Sequence, residues 1–340
     1  RRRSMSEKIF AQVNTEISIH ESSFLSPAQY EQLLRASTSE SRSAALEGTA
    51  YNPNHEQLTD LNTIERFLMK HLFAEYTWAF EVSPTSALVE FFTLKYTYHN
   101  LKVLLKHKAT GLNLKHLLIP VGSYSLDMLE QLITTFSAEY CPKLMVDEIE
   151  ATWAEYQDYQ DVRVLEIGMD LAYFAHLKRL ESEFEDERLK QLVRLTIDFY
   201  NATTVQRAIR HQKPHSFMTQ LLSDDGSLTS AEWIELAEKG QLTDWFFQVN
   251  PLEFDAELRS YEEKMHLGKL TNLELEYLAD LVPFKLLEQG RFETSGPLPL
   301  ARYLLGKELE VKNLRLILTG LTNQLPVENI KERMRPIYGQ

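Results

Sequence analysis

Apolar residues recur along this chain at the three- and four-residue spacing of a helix, and no paired strands with Asn-Gly hairpin signals interrupt them. The pattern is longest over 84–110, 186–212 and 297–320, each of which predicts a long helix. These stretches agree position by position when Asn100 is laid on Thr204 and Asn313. Phe91 then matches Leu195 and Leu304, and Tyr98 matches Ala202 and Val311. Leu101, Val205 and Leu314 correspond, as do Leu104, Ala208 and Ile317, and Leu105, Ile209 and Leu318. All lie on one helical stripe, so Leu101, Val205 and Leu314 are expected to be buried at equivalent places.

The register of the first two copies continues beyond the helix without a gap. Leu117-Leu118 falls on Leu221-Leu222, and Gly122-Ser123 on Gly226-Ser227. Next come "SLDMLEQLI" from Ser125 and "TSAEWIELA" from Thr229, both resembling "SPAQYEQLL" from Ser26. Each opens on a hydroxyl N-cap; Ser26/Gln29 and Thr229/Glu232 also have capping-box spacing, and Pro27 suits a first helical position. Further helices are predicted over 61–80, over 146–184 as a nearly continuous run, and over 271–290 with Pro283 as a kink or break. The fold class is all-α, built as fused repeats of roughly a hundred residues. The boundaries read 1–25 for an N-terminal segment packing on the bundles, then 26–124, 125–228 and 229–325 for the repeats. A C-terminal helix is expected over 326–340.

Composition agrees with long helices. Glycine and proline number only 12 each among 340 residues, about 7% together against a usual ~12%. The net charge of −13 argues against a nucleic-acid partner and against electrostatic docking on anionic lipid. The one basic cluster, Arg1-Arg2-Arg3 before Ser4-Met5, reads as the remnant of a tag. No apolar run approaches the length of a membrane span, and no secretory signal is visible. The lone cysteine, Cys141, leaves no intrachain disulfide and fits a reducing cytosol.

Chemistry-bearing motifs are sparse. Nucleotide-binding glycine loops, H-E-x-x-H and G-x-S-x-G are all missing, so no catalytic residue, cofactor, metal or small-molecule substrate is expected. His211 and His215 have a metal-like spacing, but Pro214 between them breaks the helix that would align the pair. Asp224-Asp225-Gly226-Ser227 lacks the remaining ligands of a calcium loop and reads as a turn before a helix. The four tryptophans read as core residues.

The polar side of the repeated long helix is more informative. Lys102, Gln206 and Arg315 share one position, and Lys106, Arg210 and Thr319 the next turn. Two readings fit: long cations lying over their own core near a helix C-terminus, or a recurring face presented to a partner. Residues alone leave a helical scaffold that binds a peptide or protein in a concave groove, and an all-helical enzyme, which the absence of convergent catalytic groups disfavours.

The segment "PLPLARYLLGKELEVKNLRLILTGLTNQLPVENIKERM" (297–334) resembles the C subunits of bacterial and archaeal V-type (A-type) rotary ATPases, whose eukaryotic counterpart is called the d subunit. The resemblance rests on Lys307, Glu308, Glu310, Lys312, Asn313, Leu314 and Arg315, with Glu308 and Lys312 spaced as an i,i+4 pair. "FAQVNTEISIHESSFLSPAQYEQLL" (10–34) and "LEGTAY" (46–51) look like the same family's opening, although Thr15 and Ser18 stand where arginines are frequent. The resemblance implies a funnel of three similar helical bundles about a pseudo-threefold axis. It implies a non-catalytic protein, peripheral on the cytoplasmic side of the membrane, that joins the central shaft to the rotor ring. Torque would pass through it between ATP hydrolysis or synthesis and ion transport. Within that frame Lys102, Lys106, Gln206, Arg210 and Arg315 are the expected partner contacts.

Overall fold

A computed structural model describes residues 2–249 and 256–339, which form helices and turns with no strand among them. Arg1, and the side chains of Arg2 and Arg3 from the basic cluster, lie outside the described set. The α-helices are α1 (Arg2–His20), α2 (Pro27–Leu34), α3 (Ser39–Ala45), α4 (Leu61–Val82) and α5 (Ser86–Thr110). There follow α6 (Leu126–Thr135), α7 (Lys143–Tyr159), α8 (Val162–Glu181), α9 (Glu187–Arg210), α10 (His215–Leu221) and α11 (Ser230–Glu238). The last are α12 (Leu242–Val249), α13 (Ala256–His266), α14 (Asn272–Glu288), α15 (Leu298–Thr322) and α16 (Val327–Arg333). None of the described helices is long and apolar enough to cross a membrane.

The predicted caps set the helix starts. Ser26 and Gln29 bond reciprocally ahead of α2, with Pro27 in the first turn, and Thr229 and Glu232 do the same for α11. Ser125 accepts the Met128 N–H to open α6. The continuous helix expected over 146–184 is instead two. Gln160, left-handed at φ 54°, ends α7, and the Asp161 carboxylate caps α8 through the Arg163 N–H. Pro283 sits inside α14 without ending it. The helix expected over 326–340 occupies only Val327–Arg333, and residues 334–337 continue without helix.

Contacts divide the chain into two compact units, residues 1–89 with 280–340, and residues 90–279. In the first, α4 packs along α15, with α1, α2 and α16 around them. Most of α15 is buried, including Arg302, Lys307, Glu310 and Asn313. At Gly306 a β-carbon would lie 2.4 Å from the Tyr338 ring, so glycine is what admits the C-terminal segment here. In the second unit α7 and α8 form a hairpin, and α9 packs on α8 and α11. Leu101, Val205 and Leu314 are all buried. So are Trp233 and Trp245, whose rings meet edge-on at 5.0 Å. Trp78 and Trp153, expected in the core, are only half-buried. Each has a polar neighbour: His20 stacks on Trp78 at 4.3 Å, and the Lys108 ammonium lies 4.7 Å from Trp153.

Candidate partner-contact face

The five residues singled out on the long helices all have partners within their own unit. On α5, Lys102 pairs with Asp170 of α8, and Lys106 pairs with Glu166 one turn earlier on that helix. On α15, Arg315 forks onto Glu65 of α4, with Nε to Oε2 at 2.6 Å and Nη2 to Oε1 at 3.0 Å. On α9 the pattern changes. Gln206 Nε2 donates to the Leu270 carbonyl at 3.1 Å and to Asn272 Oδ1 at 3.0 Å, and Arg210 Nη2 donates to the same carbonyl. Each long helix therefore bridges, at one sequence-equivalent position, to a second helix or to the loop that starts it. The side chains of Lys102, Lys106 and Arg315 keep 27%, 30% and 37% of their surface exposed, so pairing does not remove them from solvent.

The residues that carry the family resemblance do another job: they close the first unit around α15. Lys307 donates to Ser23 Oγ at 2.9 Å and lies 4.2 Å from the centre of the Phe24 ring. Glu310 accepts the Leu25 N–H at 2.8 Å and the Tyr51 hydroxyl at 2.7 Å. Burial pushes its carboxyl up, while Lys307 and these donors pull it down. Glu308 accepts from Tyr76 of α4, and Lys312 pairs with Asp280 of α14. Glu308 and Lys312, expected to face each other at i,i+4, thus each also reach a tertiary partner, which ties separate segments to one helix. Beside Lys307 and Tyr51 lies a cavity of about 230 Å³, also lined by His20, His71 and Trp78. Burial, then the Lys307 charge, lowers the His71 pKa, which favours neutral imidazole there.

The remaining polar motifs have structural partners. Asp224 Oδ1 accepts the N–H and hydroxyl of Ser230 at 2.7 and 2.8 Å, holding the turn ahead of α11. His215 pairs with Glu238, and His211 follows the last turn of α9. Among the described residues no group of three or more His, Cys, Asp or Glu is placed to hold a metal ion. Burial raises the Cys141 thiol, away from a reactive thiolate.

Two features escaped the sequence reading. One is a buried set, in which Tyr98 hydroxyl meets His176 Nδ1 at 2.9 Å and Glu90 lies 3.6 Å from His176 Nε2. The other is a cleft of about 250 Å³ beside Gln206 and Arg210. Neither carries a local signal, because the residues involved come from helices far apart in sequence.

Comparison with known proteins supplies the context for these ties. Residues 13–333 match the model of the ATP synthase (C/AC39) subunit family. The C subunit of the V-type sodium ATPase of Enterococcus hirae is 28% identical over 331 residues, covering 97% of this chain and 99% of that protein. The C subunits of the A-type ATP synthases of Methanocaldococcus jannaschii and Pyrococcus horikoshii are 23% and 22% identical, covering 95% and 94% of this chain and 85% and 88% of theirs. With a match running almost from end to end, the chain belongs to the ATP synthase (C/AC39) subunit family.

Proposed function

We propose that this chain is a non-catalytic central-stalk subunit of a V-type rotary ATPase. It links the central shaft to the membrane rotor ring and carries torque between ATP hydrolysis or synthesis and the transport of H⁺ or Na⁺. The observation that carries this reading is the family match over residues 13–333, with C subunits of V-type and A-type enzymes aligned over most or all of their length. The reading puts the three repeats around a pseudo-threefold axis as a funnel, peripheral on the cytoplasmic side of the membrane. It places the shaft contact among Lys102, Lys106, Gln206, Arg210 and Arg315.

The internal ties support it physically. A part that passes torque must not deform under load, and close-packed, multiply bonded interiors resist deformation. The charges of the α15 motif are spent on such ties. The direct test is gentle detergent extraction of the native membrane, followed by purification through a tag on this chain. Shaft subunits and the ring are expected to come with it. Recovery of the chain without them, or with a different set of partners, would refute the proposal.

A further inference from the structure

The sequence-equivalent positions of the three long helices end in unequal surroundings. Lys102 and Lys106 meet carboxylates on α8, and Arg315 meets one on α4. Arg210 has a backbone carbonyl and, among the described residues, no carboxylate partner. The cause lies in where the facing helix begins. Asp170 stands more than two turns into α8, whereas Asn272, which faces Gln206, is the first residue of α14. The turns that would carry an acid are replaced by the loop over 267–271.

That replacement leaves the cleft of about 250 Å³. Its walls include Ile209, Leu242, Trp245, Met265 and Leu275, with Arg210 also in the lining. Around it, Leu267 and Leu273 are 59% and 57% exposed. Lys269, in the same loop, is exposed and likewise has no carboxylate partner among the described residues. Apolar walls gain free energy when covered, and exposed leucines beside them extend the surface that a partner would bury. Two such cations in a chain of net charge −13 set the sign of that partner.

The geometry points to this cleft as the anchoring site for a shaft segment in which a large apolar side chain sits next to a carboxylate. The apolar group fills the cleft, and the carboxylate takes the outward N–H groups of Arg210, with Lys269 beside it. This rests on the central-stalk reading and sharpens it: of three equivalent sites, one sets a cation without a carboxylate partner among the described residues beside an apolar cleft, and two hold acids of their own. A shaft held this way has one angular register on this chain rather than three, because the cations at the alternative positions already hold acids of their own.

The test uses the full-length chain and the purified shaft subunits of the same enzyme. A photo-crosslinking phenylalanine analogue replaces Leu242 in the cleft wall or, as comparison, Leu61 near Glu65 or Leu112 beyond Lys106. Crosslinks to the shaft are expected from position 242 and not from 61 or 112. Arg210→Glu should weaken shaft binding about tenfold or more, with unchanged circular dichroism, since Arg210 is surface-exposed. Reversing the crosslinked shaft carboxylate to lysine should restore binding to that variant. If the wild-type chain binds the shaft but crosslinks equally from 61, 112 and 242, or only from 61 or 112, the anchoring site is wrong and the central-stalk reading survives. Undiminished binding by Arg210→Glu has the same meaning. If the wild-type chain does not bind the shaft, both fall together.

Discussion

Asn313 on α15 brackets the backbone of Arg335: its Nδ2 donates to the Arg335 carbonyl at 3.0 Å, and its Oδ1 accepts the Arg335 N–H at 2.6 Å. The same two-bond clamp joins Asn100 to Ile119, at 2.6 and 2.7 Å, and Asn201 to Ser223, at 2.9 and 3.0 Å. A carboxamide offers the donor and acceptor of a peptide group side by side, so it satisfies an extended segment that has no neighbouring strand. The three long helices therefore share a hydrogen-bonding device as well as an apolar pattern. Asn100 and Asn313 are aligned residues, whereas Asn201 stands one turn ahead of the aligned Thr204.

Replacing Asn201 by aspartate tests the clamp with almost no change of shape. The variant loses the donor to Ser223 and sets a carboxylate against that carbonyl in a fully buried site. A loss of about 3 kcal/mol is expected, at the upper end for an unsatisfied buried polar group. Urea unfolding at pH 7 measures it, and a loss below about 1 kcal/mol would mean that water replaces the clamp easily.

How much of this was legible in the sequence divides along the range of the interactions. Ser26, Ser125 and Thr229 act on N–H groups three residues away, and the stripe through Leu101, Val205 and Leu314 follows from helical period alone. Both kinds of information are local. The break after Gln160 was hidden because no glycine marks it, and a glutamine rarely signals a left-handed residue. The acids facing Lys102, Lys106 and Arg315 were invisible for another reason: Asp170, Glu166 and Glu65 lie on separate helices, and only packing selects them from 49 acidic residues. That Arg210 meets no carboxylate among the described residues was hidden in the same way.

Gly306→Ala probes the seat of the C-terminal segment. The Tyr338 ring stacks on Phe24 at 3.8 Å, packs 4.0 Å from the Arg302 guanidinium and donates its hydroxyl to Glu21 at 2.7 Å. A new methyl group at 306 would occupy the space of that ring, and it would also press on Phe24 at 3.1 Å. The expected result is release of the tail, read as faster carboxypeptidase trimming after residue 334. Adding Tyr338→Ala should then cost little more, because the clashing ring is already displaced. Equal trimming of wild type and Gly306→Ala would show that the seat adapts.

His176 should make the protein acid-sensitive. Burial, then the nearby Arg179 charge, lowers its pKa to about 4 from an ordinary 6.5. The unfolded chain therefore binds a proton that the folded chain refuses, and stability falls as pH drops from 6.5 toward 4. The full effect is about 3 kcal/mol. Burial raises the Glu90 carboxyl, so Glu90 acts with the opposite sign in its own window. The clean measure is the difference between wild type and His176→Gln, which cannot titrate. Denaturation midpoints between pH 7 and 4 should converge as pH falls, and parallel curves would rule out His176 as the cause.

The Lys307–Glu310 pair predicts an asymmetry between its two halves. Both side chains are buried, at 3% and 4% exposure, and 3.5 Å separates the ammonium from the carboxylate. Glu310→Gln leaves Lys307 charged and without its ion-pair partner in the unit's interior, at a cost of about 3–5 kcal/mol. It also turns an amide N–H₂ toward either the Leu25 N–H or the Tyr51 hydroxyl, which both need an acceptor. Lys307→Met should cost less, because Glu310 keeps those two donors and can take up a proton, a change that its burial already favours. The sign of the pH dependence then separates the variants. Without the lysine, the folded-state carboxyl titrates further above its unfolded value, so folding binds a proton and stability is highest at low pH. It falls as pH rises through the raised pKa. Lys307→Met should therefore gain on wild type between pH 7 and 5, while Glu310→Gln should not. Urea midpoints for both single variants and the double variant at pH 7 and 5 decide the matter. A double variant no more stable than Glu310→Gln would show that the cost lies in the lost acceptor rather than in the stranded charge.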